Sequence, residues 1–136
     1  MDLSKSNELN NLIQKYNNKE FKNVIKKVDE LIKIYPYEID LHNIQGASNA
    51  ALSMFDKAII CYENILKIDP NSAKAYFNIA VMYDKLSLPE NALKNYKNAI
   101  KIKPDYADAH NNMGSAYKEL GYLDSCLLYT SPSPRD

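Results

Sequence analysis

The apolar residues of this chain recur at intervals of three and four positions, which is the spacing of one face of an α-helix. The first stripe of this kind is formed by Leu9, Leu12, Ile13 and Tyr16. A second stripe begins at Phe21 and stops before Pro36, which lacks the backbone N–H that a continuing helix donates. A short polar break at Asn17 and Asn18 separates the two stripes. The pattern therefore predicts a helical hairpin at the start of the chain.

The hairpin pattern repeats along the chain with a fixed period. Pro36, Pro70 and Pro104 close successive copies, and 104 − 70 and 70 − 36 are both 34. A period of about 20 to 50 residues with helical signals and no strand signals is typical of a stacked helical array. The sequence thus predicts an all-α fold. Its repeats are expected at about 5–38, 39–72 and 73–106, with a partial unit at 107–125.

A small residue recurs inside the first helix of each later unit, at Gly46, Ala80 and Gly114. Glycine inside a helix costs about 1 kcal/mol relative to alanine, so a compensating close approach of the neighbouring helix is expected there. Gly121 follows the apolar stripe of the fourth unit, and we expect it to end that helix.

The phased positions resemble the tetratricopeptide repeat. The matching residues are Gly46, Ala80 and Gly114, Tyr83 and Tyr117, Ala58 and Ala92, Tyr62 and Tyr96, and the closing prolines. The resemblance extends from Ile39 to Gly121 and, less closely, over residues 5–36. It implies a right-handed α-solenoid of stacked helix-turn-helix units. Asn49, His42 and His110 depart from the family pattern.

The composition argues against several classes of function. Lys+Arg and Asp+Glu number 17 each, and a chain with zero net charge is poorly suited to neutralising nucleic-acid phosphates. No apolar run approaches the roughly 20 residues that span a bilayer, and the first residues lack the apolar core of a secretory signal. We therefore expect a cytoplasmic protein that binds neither nucleic acid nor membranes.

The sequence offers no catalytic constellation. His42 and His110 lie two repeats apart, at least roughly 16 Å if helices pack about 8 to 10 Å apart, whereas metal bonds are about 2 Å. They cannot share a metal, and we expect rings partly buried between helices. Cys61 has no electropositive neighbour in sequence that would activate its thiol. We expect no enzyme activity, metal, cofactor or small-molecule substrate.

What remains is a surface. In repeats of this type the first helix of each pair lines the concave side, and positions spaced by three, four and three residues share its inner face. The predicted groove residues are Leu9, Ile13 and Tyr16; Asp40, Asn43, Ala47 and Ala50; Lys74, Phe77, Val81 and Asp84; and Asp108, Asn111, Ser115 and Lys118. Its apolar centre and amide edges suit an extended peptide or a partner helix.

Asn78 and Asn112 resemble the asparagine ladder with which some members of the family hold a peptide main chain. The alternative is that both bond only within the array. A second family feature, the clamp for chaperone carboxylate tails, is not matched: its places hold Asn43, Ala47, Asn78, Asp108 and Asn112, and Asp108 has the wrong sign for an anion.

The segment from Cys126 to Asp136, CLLYTSPSPRD, differs from the rest of the chain. It contains the only arginine, Arg135, and resembles the translation of a transposase-based sequencing adapter. The alternative is a natural Ser/Pro-rich linker. We therefore expect the native protein to continue beyond Ser125.

Three functions fit these observations. The leading hypothesis is a non-catalytic scaffold that binds a peptide or partner helix in the concave groove. The alternative is an N-terminal module of a larger enzyme resembling a glycosyltransferase or sulfotransferase. A third possibility is self-association through Leu120 and Leu123, which the fourth unit leaves uncovered, and such a dimer or aggregate would be an artefact of truncation.

The segment 126–136 can be tested by deletion. We expect the melting temperature of the shortened chain, followed by circular dichroism, to match that of the full chain. A drop of several degrees would show that the segment packs on the array.

Overall fold

The computed structural model describes residues 3–130, with the side chains of residues 4–121. All regular elements in this range are α-helices, which confirms the predicted all-α class. They are α1 (Leu3–Asn17), α2 (Phe21–Ile34), α3 (Ile39–Ala51), α4 (Phe55–Ile68), α5 (Ala73–Lys85), α6 (Pro89–Ile102) and α7 (Ala107–Thr130). None of these helices is long and apolar enough to cross a membrane.

The helices form a solenoid of stacked hairpins. Each helix packs on its neighbours along the chain, and α1 also contacts α3. The core consists of clusters of buried residues: Leu12 and Val24 belong to the first, Ile65 and Ala75 to the second, and Ala109 to the third. Such an array is stabilised by each repeat and its adjacent interfaces rather than by one central core.

The same turn joins the two helices of each complete hairpin. Lys19, Ser53 and Ser87 lie 34 positions apart and have φ values of 63°, 60° and 59°. In the third hairpin the N–H of Leu88 donates to the carbonyl of Tyr83, and the N–H of Ser87 to that of Asp84. This pair of bonds defines a Schellman motif, whose left-handed position is usually glycine. The repeat therefore accepts a strained backbone at each hairpin turn.

Gly121 stands one period after Ser87, but the prediction that it ends the last helix is wrong. α7 continues through Gly121 to Thr130, and no glycine has a positive φ in the described range. A glycine permits the left-handed turn without forcing it, and among the described residues no returning second helix packs against α7. Without that packing, continued helical hydrogen bonding outweighs a propensity cost of about 1 kcal/mol.

The segment 126–136 lies partly within α7, which is helical to Thr130. Residues 131–136 lie outside the described range. The helical backbone of residues 126–130 does not test the origin of this segment, so its resemblance to an adapter stays a prediction.

The small positions in the first helices differ in what they contact. A Cβ added to Gly46 would lie 2.8 Å from two ring carbons of Tyr62, so α3 and α4 cross closely there. Ala80 is fully buried beside Ala92 and Tyr96. At Gly114 nothing lies within 4 Å of an added Cβ, so the predicted close crossing is wrong at this position. The reason is again that no second helix among the described residues covers α7.

The contrast between Gly46 and Gly114 can be measured. We expect Gly46→Ala to lower the free energy of unfolding by about 1 kcal/mol, because overpacking costs typically 1–3 kcal/mol and exceeds the gain in helix propensity. Gly114→Ala should raise it by about 0.5–1 kcal/mol. Urea titration of the two variants checks this. If both substitutions changed the free energy of unfolding by the same amount and in the same direction, the result would contradict the close contact at Gly46.

The strained turns give a second prediction. Ser87→Gly should raise the free energy of unfolding by up to about 1 kcal/mol, because glycine adopts a positive φ without steric cost. Ser115→Gly, an exposed helical position in α7, serves as the control and should lower stability by about 0.5 kcal/mol. Destabilisation by Ser87→Gly would argue against a left-handed conformation at this turn.

Candidate functional site

A pocket of about 320 Å³ opens on the side of the array formed by the first helices of the hairpins. We call it the central pocket. Its lining residues are Ile13 and Tyr16 of α1, Asn43, Ile44 and Ala47 of α3, Tyr62 of α4, and Lys74 and Asn78 of α5. Three successive hairpins therefore contribute to one cavity, at the place where the spacing argument predicts a groove.

The central pocket brings together six of the residues that the sequence assigns to the groove or to the asparagine ladder. They are Ile13, Tyr16, Asn43, Ala47, Lys74 and Asn78. A second depression of about 390 Å³, lined in part by Leu9, shares Ile13, Asn43 and Ile44 with the pocket and continues the surface along α1 and α3. Leu9 itself is 6% exposed and belongs to the core between the first two hairpins.

Tyr62 forms part of the pocket wall although its side chain is only 5% exposed. Its ring packs against Gly46, whose missing side chain gives the ring room. Burial raises the pKa of the Tyr62 hydroxyl to about 12, with smaller contributions from Tyr16 and Cys61 nearby. The hydroxyl is therefore protonated at neutral pH and can donate a hydrogen bond.

Phe77 and Val81 do not line the central pocket. The Phe77 ring stacks on Tyr106 with ring centroids 5.0 Å apart and lies 5.9 Å from the Tyr96 centroid. Val81 is half-buried against the cores on both sides of α5. These two residues tie the third hairpin to its neighbours, so a role in ligand binding stays a prediction for them.

The two asparagines of the predicted ladder have different surroundings. The Tyr96 hydroxyl donates to Asp84 Oδ2 at 2.5 Å, and the Asn112 side chain is near enough to lower the pKa of this hydroxyl. Burial and the Asp84 carboxylate nevertheless hold the pKa of Tyr96 well above its usual range. Asn78, by contrast, lines the central pocket, and its side chain makes no hydrogen bond to the described residues. Asn111 is exposed on α7. A role of the two asparagines in holding a peptide stays a prediction.

The histidines and Cys61 make structural contacts. His42 Nε2 lies 2.9 Å from the carbonyl of Pro36, and His110 Nε2 lies 2.8 Å from that of Pro104. Each ring therefore links a first helix to the turn before it. Within residues 3–130 no group of three or more His, Cys, Asp or Glu side chains is placed to hold a metal.

Cys61 is buried, and burial raises the pKa of its thiol. Asn49 Nδ2 donates to its Sγ at 3.5 Å, and the thiol donates to Gln45 Oε1 at 3.4 Å. Gln45 in turn donates to Asp29. This chain of hydrogen bonds explains how Asn49 replaces an aromatic residue in a buried position, because its amide finds a partner.

Sequence reasoning missed Tyr62 and Ile44 as pocket residues. Both occupy register positions that face the core in a regular hairpin. Tyr62 reaches the concave surface because Gly46 leaves its ring space, and Ala50 stands where the next repeat has Asp84. Two small residues near the repeated tyrosine, Gly46 and Ala50, are the sequence signal that could have indicated a pocket here.

Comparison with known proteins agrees with this architecture. A sequence profile described as a tetratricopeptide repeat matches residues 61–94, and one described as a TPR repeat matches residues 90–121. No curated protein matches the chain by sequence.

Several solved structures share the fold. The first TPR of Spaghetti (RPAP3) bound to the HSP90 peptide SRMEEVD has a TM-score of 0.80 at 18% identity, over 89% of this chain and 97% of that one. The MamA protein has a TM-score of 0.75 at 20% identity, over 93% and 72%. The Arabidopsis OM64 TPR domain has a TM-score of 0.76 at 17% identity, over 85% and 95%.

The two profile matches are consecutive and overlap the hairpins seen in the structure. The solved neighbours contain the same helical array, and the phased glycines, alanines and tyrosines account for its close helix crossings. The chain therefore carries tetratricopeptide repeats, matched over residues 61–121.

Proposed function

We propose that this array is a protein-interaction module that binds an extended segment of a partner protein along the groove formed by its first helices. The central pocket holds one or two side chains of the partner. At about 320 Å³ it lies at the small end of ligand pockets, which span about 300–1,000 Å³. The partner segment continues along α1 and α3, where the second depression lies.

The observation that carries the proposal is an exposed apolar side chain beside unpaired amides in a concave surface. Ile13 is 47% exposed at the edge of the central pocket. Asn43 and Asn78 flank the pocket and make no side-chain hydrogen bonds within the described part of the chain. An apolar contact supplies burial, and side-chain amides can bond a peptide backbone.

The solved neighbours support a partner of this class. The similar RPAP3 domain was solved with a bound HSP90 peptide, SRMEEVD. In the present chain the positions of the carboxylate-tail clamp hold Asn43, Ala47, Asn78, Asp108 and Asn112, so we propose a ligand that is held differently. The groove of this array is specific for side chains rather than for a chain terminus.

The groove can be tested against the opposite face with two matched variants. Random peptides displayed on phage are selected on the immobilised chain, and the dissociation constants of recovered peptides are measured by fluorescence anisotropy. Ile13→Glu should weaken binding at least about tenfold, because it places an uncompensated charge where an apolar contact forms. Ile60→Glu, at a position 57% exposed on α4, should leave the affinity unchanged.

Circular dichroism confirms that both variants stay folded. Recovery of no peptide above the background of an unrelated immobilised protein would overturn the proposal. If the Ile60→Glu variant loses affinity for the peptides while the Ile13→Glu variant keeps it, the binding surface lies elsewhere on the array.

A further inference from the structure

Three polar side chains from three successive helices lie together at Tyr96. The Tyr96 hydroxyl of α6 donates to Asp84 Oδ2 of α5 at 2.5 Å. The side chain of Asn112 on α7 is near enough to lower the pKa of the same hydroxyl. Tyr96 is fully buried, so the Asp84 carboxylate satisfies a hydroxyl that is shielded from water.

One repeat earlier the corresponding residues are Ala50, Tyr62 and Asn78. The tyrosine and the asparagine recur, whereas alanine replaces the aspartate. Tyr62 is buried like Tyr96, at 5% exposed against 0%, yet its hydroxyl has no acceptor among the described residues. Since Tyr62 and Asn78 both line the central pocket, the position that a carboxylate fills in the third hairpin is open to a ligand in the second.

The remaining polar groups of the central pocket can also donate hydrogen bonds, and the one charged group among them is positive. Tyr16 contributes a second phenol near that of Tyr62, Asn43 an amide and Lys74 an ammonium group. Lys74 forms no ion pair with the part of the chain that the structure describes, and no carboxylate lines the pocket. A cavity with this imbalance is complementary to an acceptor that carries negative charge.

We propose that the central pocket binds the carboxylate of an aspartate or glutamate side chain within the partner segment. The ligand carboxylate accepts from the Tyr62 hydroxyl, as Asp84 accepts from the Tyr96 hydroxyl, and it also accepts from the Asn78 amide and pairs with Lys74. This inference rests on the proposed function and adds the chemistry of the side chain that the pocket selects.

The apolar part of the pocket defines the flanking residue. Ile13, Ile44 and Ala47 form a wall beside the donors, so an apolar residue next to the acidic one buries surface against α1 and α3. The reduced contact with water on that wall strengthens the charge-assisted hydrogen bonds. A lysine or arginine in the same place would face Lys74.

The experiment uses the tightest peptide recovered from the phage selection and a copy with its acidic residue changed to the matching amide. The amide copy should bind at least about tenfold more weakly, because hydrogen bonds to charged groups contribute more than neutral ones. Tyr62→Phe and Lys74→Met should each weaken the acidic peptide by about five- to tenfold and have little effect on the amide copy.

Two further variants separate this site from general effects. Ala50→Asp introduces the carboxylate that the third hairpin has, so it should occupy the Tyr62 hydroxyl and weaken the acidic peptide. Tyr96→Phe removes a hydroxyl outside the pocket and should leave the affinity unchanged. Folding of each variant is checked by circular dichroism. If Ala50→Asp does not fold, Lys74→Met at an exposed position still decides the question.

The possible failures are distinguishable. If no peptide binds, both the groove and the acidic ligand are overturned. Peptides that depend on Ile13 but lack an acidic residue, or that bind equally well as amides, overturn only the acidic ligand. If Tyr62→Phe and Tyr96→Phe weaken binding of the acidic peptide equally, the effect comes from reduced stability and not from a contact in the pocket.

Discussion

The array depends on how a tyrosine in the second helix of a hairpin fits over a small residue in the first. Tyr62 packs on Gly46, and Tyr96 lies in a fully buried cluster with Ala80. The small side chain lets the two helices approach, and the ring fills the space between successive hairpins. At Gly114 this contact is missing, because no second helix among the described residues packs on α7.

The contact between this tyrosine and the small residue also explains why some residues belong to both the groove and the core. A tyrosine long enough to cross the hairpin brings its hydroxyl to the concave side, so its polar end needs a partner there. In the third hairpin Asp84 supplies that partner. In the second hairpin Ala50 cannot, and Tyr62 forms part of the wall of the central pocket. One substitution between repeats distinguishes a closed surface from an open one.

Much of the architecture could be predicted because period and helix phase are properties of the chain alone. The prolines locate the hairpins, and three-four spacing places Ile13, Asn43 and Lys74 on the concave side. The direction of Phe77 could not be obtained this way, since it depends on the ring of Tyr106 from the following turn. The place of Tyr62 in the pocket wall depends on three helices at once. The end of α7 depends on whether another helix covers it, which Gly121 does not reveal.

Residues of three successive hairpins line the central pocket, whereas the helices themselves pack mainly on their neighbours along the chain. In a quasi-one-dimensional array, a hairpin can open locally by breaking only the interfaces with its neighbours. A ligand seated against α1, α3 and α5 is lost whenever one of these hairpins opens. Occupancy would therefore add its binding free energy to the closed form and suppress local opening of these hairpins. The pocket makes the local order of the solenoid sensitive to the concentration of its partner.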